Sequence, residues 1–102
     1  MEKRRPHYDL ADIKHQMNSV ETLLLTGTAR KGIASAKMSL RDAWLVIQEL
    51  SMTNFYKSMT VYADNKVWQD VYHADWKGTA LYIKFQRYED YFIVSFKECN
   101  NE

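Results

Sequence analysis

Residues 79–97 read TALYIKFQRYEDYFIVSFK, and the pattern of apolar side chains in this stretch decides the fold. Apolar residues recur at every second position on either side of a polar segment, namely Leu81, Ile83, Phe85, Phe92, Val94 and Phe96. A period of two predicts two strands that share one buried face, with a turn at residues 87–90. The opposite face carries Tyr82, Lys84 and Lys97, and a lysine on the buried face would be prohibitively costly. Chemistry is therefore expected on this second, half-polar face.

The loop between these two strands sets which residues face each other. A two-residue loop would need positive φ angles that Tyr88 and Glu89 do not favour, so we expect a four-residue loop from Tyr88 to Tyr91. This register places Tyr82 directly opposite Lys97, with their Cβ atoms about 5 Å apart.

Two further strands precede this pair. Runs of β-branched and aromatic residues at roughly 55–62 and 66–73 predict them, with Asp64-Asn65 as the tight turn between them. Residues 75–78 supply the next turn. Short connections between successive strands imply an antiparallel meander.

The faces of these two strands are harder to read. Lys57 shares a face with Met59 in one strand, and Gln69 shares a face with Val71 in the other, but both faces of both strands mix polar and apolar groups. The alternation therefore leaves open whether Lys57 and Gln69 lie on the same face as Tyr82 and Lys97.

The first half of the chain is helical in pattern. Apolar residues at helical spacing predict helices over about 8–18, 29–37 and 40–50. The last of these begins with an N-cap at Ser39, three residues before Asp42. Residues 20–26 are either a brief strand or the end of the first helix.

Length and composition fit one domain. The 102 residues are 46% hydrophobic and 26% charged, which is ordinary for a globular fold. We predict a single α+β domain over residues 1–102, in which N-terminal helices (about 8–50) pack on one face of a C-terminal antiparallel sheet (about 55–97). No stretch resembles a membrane helix or a signal peptide, so a soluble protein in the cytoplasm is expected.

Charge and metal-binding residues are uninformative by themselves. A net charge of +1 does not indicate a nucleic-acid binder. The single cysteine, Cys99, and the scattered histidines His7, His15 and His73 lack the spacing of a zinc site. We therefore assign no metal and no cofactor.

Five segments of the sequence are distinctive when they are taken together. They are MEKRRPH (1–7), NFYKSMT (54–60), WQDVY (68–72), LYIK (81–84) and IVSFKE (93–98). In this order the segments resemble the MqsR family of bacterial type II toxins, and the resemblance extends from end to end of the chain. Such toxins are ribosome-independent mRNA endoribonucleases of the RelE-like superfamily, so the resemblance implies that fold and that activity.

The resemblance also implies a set of catalytic residues. The residues that stand in the family's active-site positions are Lys57, Gln69, Tyr82 and Lys97, all of the family's residue types. Departures lie elsewhere, at Arg5 in the opening motif and at Glu89 in the last turn, where the family pattern has threonine and histidine. The residues that bind the rest of the substrate remain unassigned.

Partners and specificity follow from the same resemblance. It implies cleavage of single-stranded mRNA at short GC-containing sequences such as GCU, without a metal, and hence inhibition of translation and growth. It also implies a cognate MqsA-type antitoxin, a zinc-containing DNA-binding dimer, so that DNA would be contacted only through the toxin–antitoxin complex.

A different class of function remains open from the residues. In a non-catalytic module, exposed aromatics such as Tyr56, Tyr62 or Tyr72 would stack single-stranded RNA bases while lysines hold the backbone. A purely structural partner-binding domain would need no intact polar set, and the four matching residues count against it. The basic run at residues 3–5 either touches RNA phosphate or is a mobile tail.

Overall fold

Four of the five strands of an antiparallel sheet come from the C-terminal half of the protein. The computed structural model describes residues 1–99, and within them the sheet has five strands in the order β1 to β5. They are β1 (Glu2–Lys3), β2 (Phe55–Val61), β3 (Asp64–Trp76), β4 (Thr79–Tyr88) and β5 (Tyr91–Glu98). Every neighbouring pair is antiparallel. The predicted α+β fold with an antiparallel meander is therefore confirmed.

The helices precede the meander and begin at side-chain caps. They are α1 (Leu10–Gln16), α2 (Gly27–Ser35) and α3 (Leu40–Glu49), with N-caps at Asp9, Thr26 and Ser39. Ser39 and Asp42 form the predicted reciprocal capping pair. Single 3₁₀ turns lie at Val20–Thr22 and Met52–Asn54. Residues 20–26 are thus a 3₁₀ turn followed by one bridge, from Leu25 to Val94.

One apolar cluster joins the helices to the sheet. All six residues of the predicted core face in β4 and β5 are buried, with Phe92 the most exposed at 7%. They pack with Tyr72 of β3 and with residues of all three helices, among them Ile13, Ile33 and Ile47. The helices therefore cover one face of the sheet, as predicted, and leave the opposite face for other uses.

The β4–β5 hairpin has the predicted register but a shorter loop. Tyr82 pairs with Lys97, as expected, while Tyr88 pairs with Tyr91 and leaves a two-residue turn at Glu89-Asp90. The expected four-residue loop was wrong because only one turn residue needs a positive φ angle, and Glu89 adopts it at 56°. The two loops share one register, so the face assignment is unaffected.

The turn before β3 also differs from the prediction. Val61 pairs with Asp64, so the turn consists of residues 62 and 63, and Asp64-Asn65 already belongs to β3. Asp64 instead accepts a hydrogen bond from the Lys66 amide at 2.9 Å. A register shift between Thr60 and Val61 moves the turn toward the N-terminus. The following turn, within the predicted residues 75–78, has positive φ angles at positions 77 and 78.

The N-terminal segment is the element that the sequence pattern did not predict. Glu2 and Lys3 pair with β2, so the basic run at residues 3–5 begins in the sheet and is not a free tail. Further along, the buried carboxylate of Asp70 accepts hydrogen bonds from the backbone amides of His7 and Tyr8 and from the Ser58 hydroxyl. These contacts fix the start of the chain against β2 and β3.

The outer edge of β5 is covered at Phe92, Val94 and Phe96, whose backbone amide and carbonyl groups point away from β4. The Gln16 side-chain amide donates to the Phe92 carbonyl at 2.9 Å and accepts from the Phe92 amide at 2.8 Å. Residues 24–26 bond the amide and carbonyl of Val94. Gly32 of α2 then lies against the Phe96 carbonyl. A side chain, a loop and a helix thus replace a sixth strand along this edge.

Helix lengths bear on membrane insertion. Among the residues that the structure describes, no helix is both long enough and apolar enough to cross a bilayer.

Candidate active site on the free face of the sheet

The face of the sheet opposite the helices, called the free face here, carries the residues that the core excludes. Strand pairing arranges them in rows across β3, β4 and β5. The rows are Gln69–Gln86–Ile93, Val71–Lys84–Ser95 and His73–Tyr82–Lys97. On β2, Lys57 pairs with Val71 and Met59 pairs with Gln69, which extends two of the rows by one strand.

All four residues expected in the active site lie on this free face. Tyr82 and Lys97 occupy one row, Lys57 belongs to the adjacent row, and Gln69 belongs to the row beyond that. Pairing across β2 and β3 thus answers the question that alternation alone left open. The structure therefore places the four residues on one face of the sheet.

Polar residues on the core side explain why alternation was ambiguous in β2 and β3. Ser58 and Asp70 are both fully buried. The Asp70 carboxylate accepts hydrogen bonds from the backbone amides of His7 and Tyr8 in the N-terminal segment and from the Ser58 hydroxyl. Buried polar groups are tolerated when they are bonded in this way. The core face of these strands therefore looks as polar as the free face.

Lys57 is tied to the edge strand by an ion pair. Its Nζ donates to Oε2 of Glu2 at 2.8 Å, and the Lys57 side chain is 18% exposed. The hydrogen bond with Glu2 raises the pKa of Lys57 and lowers that of Glu2. Lys57 is therefore a fixed cation at one margin of the site.

Gln69 is oriented by a second amide. Its Nε2 donates to Oε1 of Gln86 at 3.0 Å, across the β3–β4 pair. Because that bond uses one donor of Gln69, its remaining donor and its carbonyl oxygen are available to a ligand. Gln69 also lines two grooves on the free face, one toward β2 and one toward β5.

Tyr82 and Lys97 face each other across β4 and β5 and are in contact. Lys97 is exposed, and its Nζ lies 5.0 Å from the centre of the Tyr82 ring, within the range of a cation–π contact. Burial raises the pKa of the Tyr82 phenol, although the positive charge of Lys57 opposes this effect. Tyr82 is thus a protonated hydroxyl donor at neutral pH, beside a cation.

Two aromatic residues lie beside this pair: His73, to which the sequence gave no role, and Tyr56, which was considered only for base stacking. His73 pairs with Tyr82, and their ring centres are 5.5 Å apart. On its other side His73 stacks on Tyr56 at 4.3 Å, because an irregularity between Phe55 and Lys57 turns Tyr56 toward the free face. His73 follows Gln69 at an even spacing in β3, which is the signal that could have placed it here.

Lys84 is the remaining cation in the middle of the free face. It is half-buried, and it lines the same two grooves as Gln69. Burial, and then the nearby charge of Lys97, lower the pKa of Lys84. The sequence placed Lys84 on this face but gave it no role.

The three tyrosines considered for a base-stacking module differ in their exposure to solvent. Tyr72 is fully buried in the core and cannot stack a base, so that assignment was wrong. Tyr62 is fully exposed at the β2–β3 turn, and Tyr56 is 42% exposed beside the site.

As for metal ligands, residues 1–99 contain no group of three or more His, Cys, Asp or Glu side chains able to hold an ion.

Comparison with known proteins identifies the family of the chain. The family model described as "Motility quorum-sensing regulator, toxin of MqsA" matches residues 5–98, nearly the whole described chain. The chain belongs to the MqsR toxin family. A curated relative, the mRNA interferase toxin MqsR of Escherichia coli (strain K12), is 38% identical over 101 residues, covering 96% of this chain and 99% of the relative. The expected resemblance to MqsR toxins is confirmed.

Proposed function

We propose that this MqsR-family toxin is an endoribonuclease that cleaves single-stranded mRNA by metal-independent attack of a 2′-hydroxyl. The observation that carries this proposal is the shared free face, on which strand pairing groups Lys57, Gln69, Tyr82 and Lys97. Two cations, one phenol and one amide together supply the charge, the proton donor and the hydrogen bonds that such a reaction needs.

The reaction is a transesterification within the RNA strand. The 2′-hydroxyl gives up its proton to water, the 2′-oxygen forms a bond to phosphorus, the bond from phosphorus to the 5′-oxygen breaks, and the 5′-oxygen takes up a proton as it leaves. The products are a 2′,3′-cyclic phosphate and a 5′-hydroxyl end. In the transition state the phosphorane carries additional negative charge, so nearby fixed cations lower the barrier.

The four residues divide this work according to their environments. Lys57 and Lys97 hold the scissile phosphate and stabilise its developing charge. Tyr82 donates a proton or a hydrogen bond, since its raised pKa keeps the phenol protonated. Gln69, fixed by Gln86, orients the RNA through its free amide groups.

Cleavage of a defined RNA tests this proposal. The purified toxin, free of antitoxin and in EDTA, is incubated with a short single-stranded RNA containing one GCU, and with a copy that carries a 2′-deoxy sugar at the cleavage position. Lys97→Ala should lose at least about 100-fold in rate, as expected for removal of a charge from the transition state. Lys66→Ala, which removes an exposed lysine from the opposite side of β3, should keep the wild-type rate.

Each outcome of this experiment is informative. Cleavage of the unmodified RNA alone, with a 2′,3′-cyclic phosphate end and loss in Lys97→Ala, supports the mechanism. Cleavage of the 2′-deoxy copy, or cleavage abolished by EDTA, contradicts it. Tight binding of every RNA without cleavage would favour a non-catalytic module that uses Tyr56 and Tyr62 for stacking.

The biological setting belongs to the same proposal. The family is described as the toxin of MqsA, and we propose that an MqsA-type antitoxin, a zinc-containing DNA-binding dimer, inhibits this protein in the cytoplasm. DNA is then contacted only through the toxin–antitoxin complex. Cleavage is proposed at short GC-containing sequences of the GCU type, which blocks translation and growth.

A further inference from the structure

Lys84 lies at the centre of the residues that form the proposed active site. Tyr82 precedes it by two positions on the same face of β4. Gln69 and Lys97 are its diagonal neighbours, because they pair with the residues two positions after and two positions before Lys84. Diagonal neighbours of this kind are about 7–8 Å apart, within reach of long side chains. One phosphate could therefore contact several of these residues together.

The charge of Lys84 is not balanced by a carboxylate. Within residues 1–99 the ion pair on the free face joins Lys57 to Glu2 at its margin, and Lys84 takes part in no ion pair. Burial lowers the pKa of Lys84, and the positive charge of the neighbouring Lys97 lowers it further. A half-buried cation without a counter-ion costs free energy, and a bound anion would recover part of that cost.

The shape of the free face gives an anion access to Lys84. Two grooves meet at Lys84 and Gln69, and both residues line both grooves. The larger groove, of about 630 Å³, extends toward Met59 and the exposed Tyr62. The smaller one leads past Ser95 to the β5 side of the sheet. An extended strand lying in the larger groove would bring a backbone phosphate near Lys84, whereas the smaller groove, of about 30 Å³, has room for only a water-sized group.

We propose that Lys84 is a substrate-binding residue of this site, and that its ammonium group contacts a backbone phosphate of the bound RNA strand. This inference rests on the proposed function and extends it by one residue. Whereas Lys57 is ion-paired with Glu2 in the free protein, Lys84 has no ion-pair partner among residues 1–99. Binding affinity should therefore depend on Lys84 even when no cleavage takes place.

A binding measurement with an uncleavable RNA tests this role. The probe is a short GCU-containing single strand with 2′-O-methyl groups throughout, so that no 2′-hydroxyl remains to attack. Its Kd is measured against salt concentration for wild type, Lys84→Met, Lys84→Arg and the exposed control Lys66→Met. Lys84→Met should bind about tenfold more weakly, as for one lost charge-assisted hydrogen bond. Its slope of log K against log salt should fall by about 0.7.

The two control variants identify charge as the cause. Lys84→Arg and Lys66→Met should retain the wild-type slope. A Lys84→Met protein that melts like wild type and binds RNA with the wild-type Kd and slope overturns the proposal. A structural role alone would lower the melting temperature without changing the salt slope.

A measurement on the unmodified protein removes dependence on the variants. Acetic anhydride labelling, read by mass spectrometry, should acetylate Lys84 more slowly when the 2′-O-methyl RNA is saturating, while Lys66 reacts at an unchanged rate. Equal labelling of Lys84 with and without RNA overturns the inference. Wild-type cleavage of unmodified RNA, assayed in parallel, reports separately on the proposed function, so the two can fail independently.

Discussion

Single residues on the free face differ mainly in what surrounds them. Lys57 is paired with Glu2, Lys84 is half-buried without an ion pair among the described residues, and Lys97 is exposed above the Tyr82 ring. Identical ammonium groups therefore make unequal contributions, because desolvation and neighbouring charge change what each can offer to a phosphate. Removing any one of them should affect binding and catalysis in different proportions.

Tyr72 provides a prediction about stability at the residue scale. Its side chain is fully buried, and its hydroxyl has no hydrogen-bond partner among the described residues. Tyr72→Phe should therefore be neutral or slightly stabilising at pH 7, as measured by urea unfolding. Tyr8→Phe is the matched control and should cost about 1 kcal/mol, because the Tyr8 hydroxyl donates to the Trp68 carbonyl at 2.8 Å.

The same tyrosine should control alkaline stability. Burial raises the pKa of Tyr72 from 10.0 to about 12. The unfolded chain loses this proton at lower pH than the folded protein, so the contribution of Tyr72 is intact below pH 10 and is lost as the pH rises toward 12. Tyr72→Phe should lose less stability than wild type over that interval. Equal losses in both proteins would contradict the assignment.

At this scale the sequence predicted part of the site from pattern and part from resemblance. Alternation identified the free face of β4 and β5 and the Tyr82–Lys97 pair. It could not place Lys57 and Gln69, because the polar residues Ser58 and Asp70 lie on the core face of the same strands. Ser58 donates to Asp70, and Asp70 depends on the backbone amide of the distant His7 for its other hydrogen bonds. That dependence arises only when the chain folds.

The junction of α2 and β5 positions one side of the site. A Cβ atom added to Gly32 would lie 2.8 Å from the Phe96 carbonyl carbon and 3.0 Å from the Cα of Lys97. Neither backbone atom can move without displacing the strand. Gly32 thus allows the helix to rest directly on the strand that carries Lys97.

A pair of glycine substitutions tests this close packing at the element scale. Gly32→Ala should destabilise the fold by about 1–3 kcal/mol, the usual cost of overpacking. Gly27→Ala, in the first turn of the same helix, meets no atom within 4 Å and should be neutral or stabilising by up to about 1 kcal/mol. Urea unfolding of both variants measures the difference, and equal stabilities would refute the packing argument.

Elements with strong local signals were predictable, and those set by distant contacts were not. The helix α3 was anticipated because Ser39 and Asp42 cap it locally. By contrast, β1 has two residues and exists through its pairing with Ser58 and Met59, far away in sequence. The β2–β3 turn was misplaced because a register shift, invisible in composition, precedes it.

At the scale of the whole molecule, one core joins the two halves of the chain. Buried residues of α1, α2 and α3 belong to the same cluster as those of β3, β4 and β5. The helical part and the sheet part therefore share their main source of stability, which is buried apolar surface.

Unfolding should consequently be a single cooperative transition. Far-UV circular dichroism follows the helices, whereas tryptophan fluorescence reports on Trp44 in α3 and on Trp68 and Trp76 in β3. In urea the two signals should change with the same midpoint and the same m-value. Separate midpoints would show that the helical and sheet parts unfold independently, contrary to the expected single domain.

The covered edge of β5 has a consequence for self-assembly. Fibrils grow when each molecule offers two free strand edges, so that every added copy recreates the edge to which the next one binds. Here the Gln16 amide, residues 24–26 and α2 occupy the hydrogen-bonding positions of one edge. Two copies could pair through their uncovered β1 edges, but the edges left on the outside of that pair would both be covered β5 edges. Association would therefore stop at a pair of molecules and would not propagate into a filament.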